Sequence, residues 1–360
     1  MIAPRASHPR ADSVHGALYG LAAALLFGLS APLAKLLLPA VQPLALAALL
    51  YLGGGAALAL YGAFRRAFRR TGEREARLAR SDLPYLVGVI VSGGIVGPLL
   101  MLTGLDRLSA LSTSLLLNLE GPFTVLFAVA VFREHLGWRA AAASVSIFAG
   151  AILLGVRDGE LRGDWIGMAC VAGACAAWAL DNNLTQRLSL KDPVAVVRWK
   201  ALGAGGCMLL VALATGGTPP SVTVASAAVT LGAVSYGISI LLDVYALRML
   251  GAAREAAYFA TAPFIGAVAA VPLLGERPSP LAAAAATLMV IGVALLLRER
   301  HAHPHTHAPL EHDHLHVHDE HHQHEHPGPV TEPHSHWHRH ERLTHEHPHL
   351  PDLHHRHPHH

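Results

Sequence analysis

Residues 119–134, LEGPFTVLFAVAVFRE, and residues 261–277, TAPFIGAVAAVPLLGER, are two versions of one segment. Each version has a proline, then an apolar run, then a glutamate beside an arginine. A second match aligns residues 16–35 with residues 167–186. The chain therefore contains two similar halves, and the number of apolar stretches in each half determines how the halves are oriented.

The composition indicates a membrane protein. Of the 360 residues, 52% are hydrophobic and only 14% are charged, whereas about a quarter of a soluble protein is charged. Roughly 20 apolar residues are needed to span a bilayer as a helix. Apolar stretches of about this length alternate here with short polar joints. Ten spans are predicted: 16–38, 43–64, 83–104, 110–132, 138–156, 165–184, 194–214, 221–247, 252–274 and 280–297.

The positive charges predict the orientation of these spans. With the N-terminus inside, 17 lysines and arginines of the joints and termini lie on the inner side and 4 on the outer side. The positive-inside rule therefore predicts that both termini are cytoplasmic. Because five spans per half is an odd number, the second half must be inverted relative to the first, as in many secondary transporters.

The predicted fold class is accordingly an all-α polytopic membrane protein with two inverted five-helix repeats and a disordered tail. Its parts are a cytoplasmic N-terminus (1–15), a first repeat (16–156), a second repeat (163–297) and a histidine-rich tail (301–360). The expected location is the plasma membrane or the bacterial inner membrane.

Three segments of the second half resemble known proteins: AAWALDNNLTQ (176–186), YALRMLGAAREAAYFATAPF (245–264) and PFIGAVAAVPLLGERP (263–278). They are similar to EamA-type members of the drug/metabolite transporter superfamily, and the resemblance covers residues 16–297. It implies ten helices in two inverted repeats and carrier-type transport of a small solute, without naming the solute. The first half departs from the pattern, because Arg133 stands in place of Gly275 and one residue is missing before Glu134.

Glu120 is the first candidate for a coupling residue. Ionisable groups in a span are costly and usually face a cavity. Gly121 and Pro122 should interrupt the helix beside Glu120 and free backbone carbonyls, which suits a proton or cation site. Alternatively, Glu120 pairs with an internal partner such as Lys35. Lys35 could also neutralise an anionic substrate, or snorkel to the outer surface.

Other polar groups in the spans are candidates for the substrate path. The sixth span contains three consecutive polar residues, Asp181, Asn182 and Asn183. Their side chains cannot all face lipid, so at least one points inward, unless the three form a polar cap near the end of the span. A lone aspartate in the eighth span is protonated, paired or beside water. These candidates are Asp181, Asn182, Asn183, Asp243, Tyr245 and the weaker Asn118, which could simply pack helices. Arg198 and Lys200 are expected to snorkel to the cytoplasmic surface.

The tail holds 24 of the 27 histidines. Nine acids and three arginines give it a net charge of −6 when histidine is neutral, and frequent prolines with little apolar periodicity predict disorder. Neutral imidazole binds zinc, nickel, cobalt and copper, with copper expected to bind most tightly. The alternating candidates are His301, His303, His305, His307, His312, His314, His316, His318, His334, His336, His338, His340, His345, His347 and His349.

These features predict a secondary carrier with a metal-binding tail. The alternatives are an exporter of divalent nickel, cobalt or zinc, and a metal-responsive membrane sensor without transport. No ATP-binding phosphate loop and no catalytic motif occur, so an enzyme is not expected and no cofactor is required. The expected partners are the lipid bilayer, a small-molecule or ion substrate and transition metals. No nucleic acid is expected, and a homodimer stays open.

Overall fold

The computed structural model describes residues 9–67, 76–132, 137–156, 163–188, 191–250, 252–298, 301–307, 310–316, 334–340 and 343–349. Residues 1–8, and with them part of the predicted N-terminal segment, lie outside these ranges. So do Arg133 and Glu134 of the first motif. The described helices are α1 Pro9–Gly28, α2 Ser30–Leu37, α3 Pro43–Ala67, α4 Leu83–Val89, α5 Gly97–Arg107, α6 Ala110–Leu116, α7 Glu120–Phe132, α8 Trp138–Leu154, α9 Trp165–Thr185, α10 Pro193–Ala214, α11 Val222–Gly232, α12 Ser239–Leu250, α13 Ala252–Phe259, α14 Ala262–Leu274 and α15 Pro280–Leu297.

Short turns join several of these helices into longer rods. Four are 3-10 turns, at Leu38–Ala40, Arg80–Asp82, Leu117–Leu119 and Gln186–Leu188, and two are π-helical, at Ile90–Val96 and Ala233–Ile238. Eight rods of the described residues are long and apolar enough to cross a membrane: Val14–Ala40, Pro43–Arg65, Arg80–Arg107, Ala110–Phe127, Pro193–Ala214, Val222–Leu247, Arg254–Leu274 and Pro280–Leu297. The protein is therefore a nearly all-helical, multi-pass membrane protein.

The other two predicted spans correspond to α8 and α9. Helix α8 is apolar but has only 17 residues, which gives a length of about 26 Å against a hydrocarbon core of about 30 Å. Helix α9 has 21 residues, and its last turns contain the polar run Asp181, Asn182 and Asn183. Polarity, and not length, distinguishes α9 from the eight apolar rods.

Local signals explain where many helices begin and end. The side chains of Ser109, Asp192, Ser221 and Ser279 accept hydrogen bonds from backbone N–H groups of the first turns of α6, α10, α11 and α15. Such caps satisfy donors that have no partner within the helix. Helix α14 ends at Gly275, whose φ of 66° is left-handed and favours glycine.

The closest helix packing joins the two halves. Helix α3 packs against α10 and α11, α1 against α12, α5 against α9, and α8 against α15. The crossing of α3 with the rod of α11 is the tightest, because a Cβ at Gly53 would overlap the backbone carbonyl of Val229 and a Cβ at Gly232 would overlap that of Leu50. Small residues at such crossings allow helix backbones to approach closely. The Gly53–Gly55 run therefore lies at a close helix contact.

The tail differs from the predicted disorder over four segments, β1 His301–His307, β2 Leu310–His316, β3 His334–His340 and β4 Leu343–His349. Strand β1 pairs with β4 and β2 with β3, both antiparallel. The disorder prediction considered composition and apolar periodicity. Histidine nevertheless alternates with other residues at the period of two that strands favour.

Candidate functional site

A break in the fourth predicted span positions Glu120. The 3-10 turn Leu117–Leu119 separates α6 from α7, and Glu120 is the first residue of α7. The interruption that the Gly121–Pro122 pair predicts is therefore present, just before Glu120. The thiol of Cys175 lies 3.6 Å from the Leu116 carbonyl at this break.

Glu120 is joined to the second half by a hydrogen bond. Its Oε1 accepts from Nδ2 of Asn182, on α9, at 2.7 Å. Glu120 is partly exposed and Asn182 is exposed, so the pair borders open space rather than packed side chains. The alternative pairing of Glu120 with Lys35 was wrong. Nζ of Lys35 donates instead to three carbonyls at the end of α5, those of Leu105, Asp106 and Leu108.

Asp181 and Lys200 form an ion pair between α9 and α10. Asp181 is only 5% exposed, and its Oδ2 lies 2.5 Å from Nζ of Lys200. Its Oδ1 is buried and has no hydrogen-bond partner among the described residues. The prediction that Lys200 snorkels to the cytoplasmic surface was wrong, because a buried carboxylate within the protein binds its ammonium group. Removing one member of a buried ion pair typically costs about 3–5 kcal/mol.

The π-helical segment Ile90–Val96 brings its backbone against Asp181. A Cβ at Gly93 would overlap Cγ of Asp181, so only glycine fits this contact. The carbonyl of Gly93 accepts hydrogen bonds from the Tyr51 hydroxyl at 2.8 Å and from Trp178 Nε1 at 3.1 Å. Irregular π-helical turns of this kind are frequent at functional sites.

Aromatic rings continue from this contact across both halves. The ring centroids of Tyr51 and Tyr236 are 5.5 Å apart, and those of Tyr236 and Phe27 are 5.8 Å apart. Phe27 in turn lies 5.2 Å from Phe259. Tyr236 belongs to the second π-helical segment, Ala233–Ile238. The ion pair and this aromatic row, with Glu120 and Asn182, make up what we call the central group.

Asp243 and Tyr245 both lie on α12 and make separate polar contacts. The carboxyls of Asp243 on α12 and Glu255 on α13 lie close enough to each other to interact. The Tyr245 hydroxyl is hydrogen-bonded to the Tyr61 hydroxyl of α3, and its ring lies 6.1 Å from that of Tyr19.

Two of the predicted site residues make local helix contacts. Asn118 is buried, and its Nδ2 donates to the Leu115 carbonyl at 2.8 Å. Asn183 is buried too, and its Nδ2 donates to the carbonyl of Ala179 at 2.8 Å. Of the three consecutive polar residues in α9, Asp181 and Asn182 therefore reach the neighbouring groups of the site, whereas Asn183 bonds within its own helix.

The Gly-Glu-Arg motif of the second half has a structural role at one end of the bundle. The carboxylate of Glu276 accepts hydrogen bonds from the backbone N–H groups of Ala110 and Leu111, at 2.7 and 2.8 Å, and so holds the start of α6. Nearby, Asp164 lies 3.0 Å from Arg107. A hydrogen bond from the Gly167 backbone, together with Arg107, holds the pKa of the Asp164 carboxyl below its usual range.

A cleft of about 590 Å³ borders Glu276 and the starts of α6 and α15. None of the predicted site residues lines it. Its position therefore associates it with the helix contacts at this end of the bundle and not with the central group.

The metal-ligand predictions fall in the tail. His318 lies outside the described residues, and only the backbone of the other fourteen predicted histidines is described. The strand register places histidine opposite histidine at six positions, namely His301–His349, His303–His347, His305–His345, His312–His338, His314–His336 and His316–His334.

Sequence reasoning missed Lys200, Glu255 and Tyr51 as members of these groups. Lys200 is separated by 19 residues from Asp181, so no helical periodicity connects them. The signal available was a lysine well inside an apolar span. Glu255 stands beside Arg254 at a span boundary, where a charged residue is ordinary, and Tyr51 looked like any aromatic residue of a membrane helix.

The apolar rods, together with a polar group between the two halves, define a membrane transporter. The chain belongs to the EamA-like transporter family, which matches it twice, over residues 14–156 and over residues 165–298. It is 31% identical over 269 residues to an uncharacterized transporter of Methanothermobacter thermautotrophicus, covering 71% of this chain and 78% of that protein. It is also similar in fold to a protein of known crystal structure, with a TM-score of 0.58 and 23% identity over 79% of this chain and 98% of that one. The protein is a transporter and not an enzyme.

Proposed function

We propose that this protein is a secondary-active carrier that moves a small solute by alternating access. In this proposal ten spans form two inverted five-helix halves, in a bacterial inner membrane, with both termini in the cytoplasm. The distribution of 17 inner and 4 outer positive charges supports the orientation.

The packing between the halves supports the inverted repeat. Span 1 packs on span 8 through α1 and α12, and span 6 packs on span 3 through α9 and α5. In the repeat, span 1 corresponds to span 6 and span 3 to span 8. Exchanging the two halves therefore converts the contact of spans 1 and 8 into the contact of spans 6 and 3. The pairs of span 2 with 7 and of span 5 with 10 are each unchanged by the same exchange. A two-fold relation between the halves accounts for this pattern.

The observation that carries the proposal is the polar contact between the halves within the spans. Glu120 of the first half bonds Asn182 of the second, next to the Asp181–Lys200 pair. Exposed polar side chains at this depth are costly in lipid and usually face a water-filled cavity. Binding sites of secondary transporters typically lie at such an interface between repeats, beside interrupted helices.

Glu120 is the proposed coupling residue, because it is the acid at the helix break. Its carboxyl takes up a proton when it faces one side of the membrane and releases it on the other. The Asp243–Glu255 pair, in which two acids lie side by side, is the second candidate for this role.

The ligand chemistry favours an organic solute over a free divalent metal. A metal ion at this position would need the carboxylates of Asp181 and Glu120 as ligands. The ammonium group of Lys200 already binds Asp181, and Asn182 is hydrogen-bonded to Glu120. In the part of the chain whose side chains are described, no group of three or more histidines, cysteines or acids could hold a metal ion. Stable metal sites normally use at least three such ligands.

Flux in proteoliposomes tests the carrier proposal against both alternatives. The panel is 2-phenylethylamine, phenylalanine and phenylacetate, which differ in charge, and nickel, cobalt and zinc, each measured with and without a pH gradient. The expected result is protein-dependent flux of an organic member, driven by the gradient. Metal flux instead would support the exporter, and no flux of any member would support the sensor.

The tail is proposed to bind transition metals independently of transport. Opposed residues of an antiparallel strand pair have Cβ atoms about 4.5–5.5 Å apart, so opposed histidines are placed to share an ion. Each strand pair has three opposed histidine pairs, so neighbouring pairs together offer enough imidazoles for one or two metal sites.

Calorimetric titration of the purified full chain should therefore show tail-dependent binding, with copper tighter than nickel, zinc or cobalt. Binding should weaken strongly at pH 5.5, because imidazole, with a pKa of about 6.5, is then mostly protonated. A chain ending at Arg300 is the control. Equal binding by both chains would show that the ligands lie elsewhere.

A further inference from the structure

We propose that Asp181 binds the ammonium group of an organic amine cargo, and that Lys200 is a built-in cation which the cargo displaces. The inference rests on the proposed carrier function and names its class of substrate. It also assigns a role to the unpartnered oxygen of Asp181.

The first observation is that only one of the two carboxylate oxygens of Asp181 has a bonding partner among the described residues. The side chain is only 7% exposed, Oδ2 is bound by Lys200, and Oδ1 has no hydrogen-bond partner among the described residues. A buried charged oxygen without a partner is costly. A site that receives a positively charged donor during the transport cycle explains why this oxygen is kept.

The second observation is the aromatic surroundings. The Tyr51 hydroxyl and the Trp178 N–H both bind the Gly93 carbonyl, and the Gly93 backbone lies against Asp181. The Tyr51 ring lies against the Tyr236 ring. Aromatic side chains close to a carboxylate suit an organic ammonium ion, which can gain both an ion pair and cation–π attraction.

The charges around Asp181 favour a cationic cargo over an anionic one. Two acids, Asp181 and Glu120, face one cation, Lys200, and Glu120 is close enough to interact electrostatically with both. The other titratable groups packed here are the Tyr51 and Tyr236 hydroxyls and the Cys175 thiol, none of them cationic. An anionic cargo would have to displace the Asp181 carboxylate from this single ammonium group, and it would lie beside a second acid, Glu120, that can lose its proton.

The exchange balances in charge and in protons. In the empty carrier Lys200 neutralises Asp181 and Glu120 carries a proton. When an amine cation binds Asp181, the ammonium of Lys200 turns to Glu120, and the Glu120 proton leaves to water. One positive charge enters and one proton leaves, so transport is an electroneutral exchange of one proton for one ammonium ion.

Two substitutions at Lys200 test the displacement, because they should act in opposite directions. Lys200→Met removes the competitor, so the KM for 2-phenylethylamine should fall by about tenfold if the pair is formed nine-tenths of the time. Lys200→Arg keeps a permanent bidentate partner on Asp181, so the KM should rise. A lysine that only stabilises the fold would give no gain in apparent affinity from either variant.

Folding is checked separately, since removing a buried counter-ion is destabilising. Size-exclusion profiles in detergent show which variants fold, and Lys200→Arg keeps the test decisive if Lys200→Met does not. Asp181→Asn should abolish amine flux in a folded protein. Setting the membrane potential with potassium and valinomycin should leave the amine flux unchanged.

Three outcomes would overturn the inference. They are flux of phenylacetate but not of 2-phenylethylamine, an unchanged or lowered KM in Lys200→Arg, and undiminished amine flux in Asp181→Asn. Each of these leaves the carrier proposal standing, because protein-dependent flux is still observed. Absence of flux for every member of the panel contradicts the carrier proposal itself.

Discussion

Replacing Gly232 with alanine should prevent the protein from accumulating in a folded form. A Cβ at this position would overlap the Leu50 carbonyl oxygen, and it would meet backbone rather than a flexible side chain. The two helix axes would have to separate along the tightest contact between the halves. Overpacking a well-packed interior typically costs about 1–3 kcal/mol, and a backbone collision should reach or exceed the upper end of this range.

Gly206→Ala is the matched control for this substitution. Gly206 also lies within a helix, α10, but nothing lies within 4 Å of a Cβ built there. Alanine should be neutral at this site, or should stabilise the helix by about 0.5–1 kcal/mol. Thermal unfolding in detergent compares the two variants. If Gly232→Ala has the melting temperature of Gly206→Ala, the close crossing of α3 and α11 is wrong.

The sequence predicted the helices well because each depends on local signals. Runs of apolar residues, Pro193 and Pro280 at helix starts, and the cap residue Ser221 all act within a few positions of the feature they determine. A glycine run such as the one that begins at Gly53 is likewise a local signal, since small residues allow helices to approach closely. Its partners, Val229 and Leu50 with Gly232, are long-range, and a single sequence does not identify them.

The candidate site shows the same limit. The break beside Glu120 follows from Gly121 and Pro122, which are its neighbours in the chain. The hydrogen-bond partner of Glu120 does not follow from the sequence, because Lys35 and Asn182 are both polar residues of other spans and either could have been the partner. The structure places Lys35 at the end of α5 and Asn182 beside Glu120. Only helix packing determines which polar groups meet.

The tail illustrates a different difficulty. Its composition predicts disorder, while its alternation has the period of a strand, and the two signals act against each other. Histidines that alternate with proline, aspartate and glutamate cannot bury an apolar core. The strand pairs that begin at His301 and Leu310 are therefore held by backbone pairing rather than by a hydrophobic face.

Glu120→Gln should abolish coupling between the pH gradient and solute accumulation while leaving the fold intact. Glutamine keeps the size of the side chain, and its carbonyl oxygen can still accept the hydrogen bond from Asn182. It cannot exchange a proton. Accumulation driven by a pH gradient in proteoliposomes should therefore fall to the level reached without a gradient, and the pH dependence of transport should flatten.

Glu255→Gln is the comparison that makes this prediction decisive. It removes the titratable carboxyl from the second acid group, where Glu255 lies beside Asp243. If Glu120 is the coupling residue, Glu255→Gln should keep gradient-driven accumulation. The reverse pattern, with coupling lost in Glu255→Gln and kept at full rate in Glu120→Gln, would move proton coupling to the Asp243–Glu255 pair. It would leave Glu120 as a polar contact between the halves, because its bond to Asn182 does not require a charge.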